Sequence, residues 1–483
     1  MQGLVDRLSI PQITAARLLG GRLPWLLYGP LGPVRLQTLP DPDLPGDDWA
    51  VVRPLLAGVC GTDLGVLTAH TSPSASPFSS FPAVLGHEVV GRIERAGPGV
   101  PLPAGTRVVI DPSLSCEVRG IEPACERCAE GWPYLCRHAA EGRFGAGLIM
   151  GYCRGLPGGW GEAMLAHRSQ LYAVPDAVSD ERAVLVEPLA VSLHAVLRRP
   201  PAPGDRVLVI GAGTIGLSLV AALRMLGSVS KGAVAEAPGG FAAEESGGAT
   251  AEESGGAVAE KTGGAVARGT ATEEPRDAGA PGSNVAAPRA GGAVGIEVTV
   301  VAKHGVQADL ARALGADHVV APSQLMSDAQ QRLGARAYKP ILGRHVYRGG
   351  YDVVYDCVGT RRSLDDALRI AREGGAVVVV GGAGEVRMLD WTFIWMRELD
   401  VVGTAGYGRE QVNGATRHTF ELVLEGLAAH PELPVERMVT HRFALREYRQ
   451  ALAAALDRRR SGAVKIVFEP RAAGTPESQT GRV

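Results

Sequence analysis

Three separated segments carry groups that bind borderline metal ions. Cys60 stands in GVCGTD (58–63), His87 and Glu88 in GHEVVGRIERAGPGV (86–100), and Glu187 in LVEPLAV (185–191). A thiolate and an imidazole are good zinc ligands, and a zinc that does chemistry takes about three protein ligands and keeps one position open. Glu88, Glu187 or both would complete such a set. Singly, each residue has an ordinary reading: a lone Cys behaves as a small apolar core residue, and a lone His as a satisfied structural group. Seven cysteines occur, and Cys116, Cys125, Cys128 and Cys136 crowd into one stretch. In a large chain without secretory features, clustered cysteines read as metal ligands before disulfides.

A different chemistry is written at Gly211-Ala-Gly213-Thr214-Ile215-Gly216. The run RVLVI before it reads as a strand and TIGLSLVAALRMLG after it as a helix, ending at Gly227. In that context Gly211 allows a tight turn, Gly213 lets backbone approach a pyrophosphate, and Gly216 lets helix and strand pack closely. The helix N-terminus favours the phosphates. An ordinary glycine-rich turn is the plainer reading, but a series of further strands and helices follows. An acid ending the second strand of such a unit binds the ribose 2′-hydroxyl of NAD. Here the strand ends VTVVAKHG, with Lys303 and His304 in that place. Two cation-capable groups and no carboxylate favour a 2′-phosphate, hence NADP.

The elements that must position these groups fall into two patterns. Residues 25–110 read as short β-rich pieces broken by Pro and Gly. From 204 onward strands alternate with helices: IEVTVVA (296–302), a helix over Val306–Leu314, DHVVA, YDVVYDCVG, a helix over Ser363–Arg372, AVVVVGG and LDVVGTAG. That alternation argues for an α/β, doubly wound parallel sheet. Between the first helix and its next strand lies 229–294, rich in Gly, Ala and Glu, with imperfect repeats (AEESGGATAEESGGAVAEKTGGAVA). So few large apolar residues cannot offset ordering entropy, so this is expected to be a disordered insertion; the tail 470–483 is expected to be disordered too.

At 483 residues, with 46% hydrophobic and 21% charged residues, the chain suits a globular protein of two domains. A net charge of −2 gives no general attraction to nucleic acid or an anionic membrane. No apolar run approaches the roughly 20 residues needed to span a bilayer. The N-terminus lacks the form of a signal peptide, so a cytoplasmic location is expected.

Taken together, GVCGTD, the GHE…G…G…V run, LVEPLA and GAGTIG resemble the zinc-containing medium-chain dehydrogenase/reductase (alcohol dehydrogenase) superfamily, its sorbitol and threonine dehydrogenase-like members in particular. The resemblance covers about 25–228 and 295–468. It implies a GroES-like β-rich catalytic domain (1–172, with a cysteine-rich lobe at 112–140), a Rossmann NAD(P)-binding domain (173–405) and a return to the catalytic domain (406–469). It implies Zn(2+) and NAD(P) as cofactors, a small-molecule alcohol or carbonyl as substrate, and a homo-oligomer, dimer or tetramer. The implied activity is hydride transfer between a secondary alcohol, polyol or sugar-type hydroxyl and NAD(P).

By the same resemblance Cys60 and His87 match catalytic zinc ligands. Glu187 matches an acid that ligates directly or through water, and Glu88 a second ligand or an outer group. Thr62 matches the hydroxyl that bonds the substrate alcohol and starts a proton relay, which His70 or solvent completes. Asp63 is expected to orient a ligand. Cys125-x2-Cys128-x7-Cys136 matches three of four ligands of a structural zinc lobe. The fourth falls to Cys116 through a longer loop, or to Glu122, which stands where the first Cys is expected, or the site holds no metal. Cys153, Cys357 and His194 read as structural. Leu64, Phe144, Trp160, Trp391 and Trp395 are candidates for the substrate pocket. Two competing readings remain: a zinc-free NADPH reductase of the same superfamily, and a non-catalytic NAD(P)H-binding regulator.

Overall fold

The computed structural model describes residues 1–229 and 295–471, apart from Leu8, Leu31 and Ala383. The readings of 229–294 and 470–483 as disordered lie, but for their edge residues, outside the described residues. The first sheet is antiparallel in its main part and is built around Trp49–Gly58, which pairs with Val89–Ala96 and with Met164–His167. Arg107–Ile110 and Leu171–Ala173 extend it on one side. On the other side the chain returns from its C-terminal end: Lys465–Glu469 pairs antiparallel with Trp49–Gly58, Phe468 opposite Ala57, and Val439–Ala444 pairs parallel with Lys465–Glu469. Alternation explains the two faces of these strands. Val89, Val90 and Ile93 are buried while Arg92 and Glu94 are exposed.

The second sheet holds six parallel strands in the order His318–Val320, Glu297–Val301, Arg206–Ile210, Tyr351–Asp356, Ala371–Val379, Asp400–Gly403. By sequence this is 3-2-1-4-5-6, the doubly wound order, with its switch point between Arg206–Ile210 and Tyr351–Asp356. The four inner strands are largely buried on both faces and read accordingly as Val-rich runs, whereas the edge strand Asp400–Gly403 is largely exposed. Glu297–Val301 lies directly beside Arg206–Ile210, in register from Glu297↔Arg206 to Val301↔Ile210. The long insertion therefore leaves the second-strand position intact.

Most strands and helices lie where alternation predicts them. The helix after the glycine turn runs through Gly227, spanning Thr214–Val229. Elements not anticipated include a helix at Leu325–Leu333, an N-terminal strand Gln2–Asp6 and a helix Ile10–Leu19 after it. The N-terminal strand pairs with Val34–Thr38 and Ala83–Val84 in a small separate sheet.

Candidate functional site

Cys60 is the N-cap of the helix Gly61–Leu67, at the end of Trp49–Gly58. Asp63, in the first turn, accepts the Cys60 backbone N–H at 2.8 Å, so the carboxylate that shapes the turn is drawn inward. Asp63 is fully buried and also accepts a hydrogen bond from the Tyr152 hydroxyl. Its Oδ1 stands 3.6 Å from His87 Nδ1. Burial raises the Asp63 carboxyl above its ordinary range, against the opposing pull of His87. One carboxylate thus fixes the turn carrying Cys60 and stands beside the ring of His87, whose buried Nδ1 has no hydrogen-bond partner among the described residues.

The ligand atoms of Cys60, His87 and Glu88 lie within 4.8 Å of one another. Glu88 is nevertheless spoken for. Its carboxylate receives the Lys465 ammonium, 2.7 Å from Oε1, and both side chains are 1% exposed. Lys465 also donates to the Val59 carbonyl at 3.3 Å. A Cβ at position 58 would run into the Glu88 carboxylate, which explains the glycine that opens GVCGTD. Glu187, on the helix Val186–Arg198, is buried and close enough to feel His87, Glu88, Cys60 and Lys465. Burial first, then the charges of Glu88 and Cys60, push its carboxyl up to about 8, against the lowering pull of His87 and Lys465. Burial and the charge of Glu88 push the Cys60 thiol up to about 12.

Buried charges are normally paired or coordinate a metal. Lys465 accounts for Glu88, and Tyr152 with the Cys60 N–H for Asp63. Among the described residues no cationic side chain forms an ion pair with Glu187. Cys60 and Glu187 have no ionic partner among the described residues, and His87 has only Asp63 at 3.6 Å; Glu187 is not one of the three residues whose ligand atoms lie within 4.8 Å of one another, yet a thiol, an imidazole and a carboxylate suit zinc. Thr62 stands beside them, its Oγ1 3.6 Å from Cys60 Sγ, and its side chain is exposed. His70 is also exposed, beyond the helix end.

The other pocket candidates divide. Trp160 is fully buried, donates Nε1–H to the Gly58 carbonyl at 2.9 Å and packs on Phe468, so it supports the turn from beneath. Phe144 packs edge-on to Trp49. Leu64 is half-buried, whereas Trp391 and Trp395 are exposed near the helix Thr392–Met396. His194 is buried, with Nδ1 2.6 Å from Glu410.

In the cysteine lobe, the four sulfurs of Cys116, Cys125, Cys128 and Cys136 also lie within 4.8 Å of one another. The longer loop returns Cys116 to the group, and Glu122 is exposed outside it. Backbone N–H groups point at sulfur: Cys125 to Cys116 at 3.3 Å, Cys116 to Cys128 at 3.4 Å, and His138 to Cys136 at 3.4 Å. Hydrogen bonding from the Cys128 thiol, helped by the His138 N–H, pulls Cys136 down to about 5. All four are free of disulfides.

At the glycine turn, Gly211 has φ +99° and a Cβ on Gly216 would strike the Gly211 carbonyl oxygen. Both glycines are therefore required. Lys303 is exposed just past the second strand, and His304 is the N-cap of Gly305–Ala313. Thr214 donates from Oγ1 to the Val464 carbonyl at 3.3 Å. Lys465, the next residue, is the one paired with Glu88.

Sequence reasoning missed Lys465, Tyr152 and the structural role of Trp160. The trace of Lys465 was available: a single Lys inside the apolar strand AVKIVF, where a buried charge needs a partner.

Residues 46–176 match the family described as alcohol dehydrogenase GroES-like domain, and residues 285–421 the family described as zinc-binding dehydrogenase. The chain is 27% identical to L-idonate 5-dehydrogenase of Vitis vinifera over 419 residues, covering 86% of this chain and 87% of that protein. It is 26% identical to a sorbitol dehydrogenase of Arabidopsis thaliana over 418 residues, with 86% and 87% covered. The crystal structure of galactitol-1-phosphate dehydrogenase from Escherichia coli superposes with a TM-score of 0.63 at 19% identity, covering 97% of this chain and all of that one; at this identity the likeness concerns the fold.

Proposed function

The chain belongs to the zinc-binding medium-chain alcohol dehydrogenase superfamily, and on that premise we propose that it transfers a hydride between a polyol, sugar-type or other secondary hydroxyl and NAD(P) at the Cys60–His87–Glu187 cluster. One observation carries the reading. Consecutive residues of the returning C-terminal strand join the two halves of the chemistry: Val464 holds the Thr214 hydroxyl of the glycine turn, and Lys465 holds Glu88 at the metal-ligand cluster. The relatives named for idonate and sorbitol support a polyhydroxylated substrate.

When bound, zinc supplies Lewis acidity toward a substrate oxygen and the nicotinamide a hydride acceptor. Cys60 Sγ, His87 Nε2 and the Glu187 carboxylate would hold the metal. Asp63, beside the His87 ring on its Nδ1 side, would orient it. Lys465 balances Glu88, which keeps that acid as an outer group that shapes the field. Thr62 Oγ1 takes the proton of the substrate hydroxyl and passes it outward to His70 or to water. Cys116, Cys125, Cys128 and Cys136 would enclose a second, structural zinc with no open position. No described helix is long and apolar enough to cross a membrane. A homo-oligomer draws support from the edge strand Asp400–Gly403, where Val401 is exposed.

For the cofactor, exposed Lys303 beside His304, with no acid at the end of the second strand, supports NADP over NAD. The test of the function is a polyol and sugar-acid screen with both cofactors, run beside elemental analysis for zinc. Turnover with about two zincs per chain supports the reading. No turnover with either cofactor, in protein that holds its zinc, counts against it. Lys303→Glu should lower the NADP-to-NAD ratio of kcat/KM by about 10-fold or more, the worth of one charge-assisted contact; an unchanged ratio would assign the choice to other residues.

A further inference from the structure

A β-hairpin leads into the strand Tyr351–Asp356. Arg336–Tyr338 pairs antiparallel with Val346–Arg348, and residues 339–345 form its tip. Tyr351–Asp356 runs parallel to Arg206–Ile210, with Val353 opposite Val207 and Asp356 opposite Ile210. The glycine turn follows Ile210, so the hairpin enters at the other end of these strands from the dinucleotide seat. At the tip Ile341 and Leu342 are 101% and 87% exposed, more than any other large hydrophobic residue among those described. Around them, the sequence from Gly334 to Gly350 holds Arg336, Lys339, Arg344 and Arg348 and no acid. Arg336 and Arg348 stand directly opposite each other in the register, a like-charge pairing that costs stability. Tyr338 shares their face and is half exposed, while Tyr347 on the other face is buried.

Neighbouring acids do not neutralise this surface. Asp365 and Asp366, on the helix Arg361–Ile370, bind Arg344, and each is shared with a second arginine, Arg369 and Arg362 respectively. Glu373 takes Arg348 at 3.4 Å. Arg336 and Lys339 are exposed and form no ion pair among the described residues. The whole-chain charge of −2 hides this local excess of cations. Two aliphatic side chains held in water inside a ring of cations are complementary to an anionic lipid surface. There the headgroup phosphates meet the cations and the acyl boundary receives the apolar tip. We propose that the hairpin 336–348 docks this protein peripherally on membranes rich in anionic lipid, with Ile341 and Leu342 as the inserted tip. A nucleic acid would engage the cations and leave both aliphatics in water. A folded partner would have to present a pocket shaped for them, whereas a lipid layer takes them without shape matching. Two aliphatics and a few cations make a weak, reversible contact. The glycine turn, at the other end of the strands, stays free to fill, and the docking is independent of which reaction the site performs.

The experiment is sedimentation of the full-length, zinc-loaded protein with vesicles of phosphatidylcholine, alone or with about a third phosphatidylglycerol, at low and at high salt. The protein should partition onto the anionic vesicles about 10-fold more strongly or better, and the preference should fade at high salt. Ile341→Ser combined with Leu342→Ser should lower partitioning by about 10-fold or more, the scale of withdrawing two aliphatic side chains from the lipid boundary. Arg336→Gln combined with Lys339→Gln should lower it by about 10- to 30-fold, at about fivefold per cation, and reduce the preference for anionic lipid. Neither pair of substitutions should lower the melting temperature, since all four side chains are exposed. Parent protein that sediments with neither kind of vesicle overturns the proposal, as does a tip variant that binds as the parent does. Equal affinity for a soluble polyanion, unchanged in the tip variant, would overturn it by making the hairpin a general anion patch. A parent dimer that the tip variant splits, without vesicle binding, would overturn it by assigning Ile341 and Leu342 to a contact between two copies.

Discussion

The cysteine lobe draws its four sulfurs from residues 116–136, and the backbone N–H groups of Cys116, Cys125 and His138 point at those sulfurs. The Cys60 cluster is assembled from residues 60, 87 and 88, with Lys465 paired to Glu88, Glu187 near enough to feel their charges, and Asp63 and Tyr152 holding the turn. A local cage of one kind of donor has the closed form expected of a structural metal site. A cluster gathered from distant segments mixes donors and sits where two parts of the fold meet, which is what chemistry on a bound substrate requires. Buried charge shows the same contrast. The lobe contains no acid among its four sulfurs, whereas the cluster gathers Asp63, Glu88 and Glu187 around one ammonium and one imidazole.

The largest test of this contrast is Cys60→Ser. Turnover should fall by about 10^3-fold or more, the scale of losing several kcal/mol of charge stabilisation. Zinc should drop by about one per chain while the lobe keeps its own. A variant that retains all its zinc would remove Cys60 from the ligand set and bring the zinc-free reductase forward. Next is Lys465→Ala, which strands Glu88 in a buried site. Breaking such a pair costs about 3–5 kcal/mol of stability, whereas replacing both partners costs far less. Denaturant midpoints for Lys465→Ala and for Lys465→Met with Glu88→Gln should therefore differ strongly; equal midpoints would mean the pair is solvated and not a buried support.

Asp63→Asn probes the orientation of His87. Competition with a zinc chelator should show metal affinity falling about 10- to 100-fold, as for other partners of a ligating His, with the lobe metal unmoved. The smallest effect on turnover belongs to Cys116→Ser. About one zinc should be lost and the melting temperature should fall, since structural metal binding is folding energy, yet turnover below that temperature should change less than about 10-fold. Glu122→Ala should change none of these. Turnover abolished by Cys116→Ser would dissolve the division between a structural and a catalytic centre.

How far each region was legible in the sequence follows from range. The lobe's three closely spaced cysteines were plain, and only the choice between Cys116 and Glu122 was open. Spacing cannot say where an eight-residue loop returns, and the fold brings back Cys116. The glycine turn and the βα series were legible because short-range periodicity encodes them, and the doubly wound order followed once strands alternated with helices. The helix Leu325–Leu333 was not, since its mean hydropathy is low and it covers the sheet with few large apolar residues.

The residues alone determined the chemistry on offer: thiolate, imidazole and carboxylate in GVCGTD, GHE and LVEPLA, a phosphate-cradling turn, and the absence of an acid after the second strand. Those are properties of residue type and local spacing, which a chain carries before it folds. Only the tertiary structure decided which carboxylate was committed. Glu88 and Glu187 are equally acidic on paper. The antiparallel return of Lys465–Glu469 onto Trp49–Gly58 brings an ammonium to Glu88 across 377 positions and leaves Glu187 buried without an ionic partner among the described residues, within reach of the charges of His87 and Cys60. The reason is physical: a buried charge is defined by what surrounds it in space, and strand pairing between distant segments sets those surroundings.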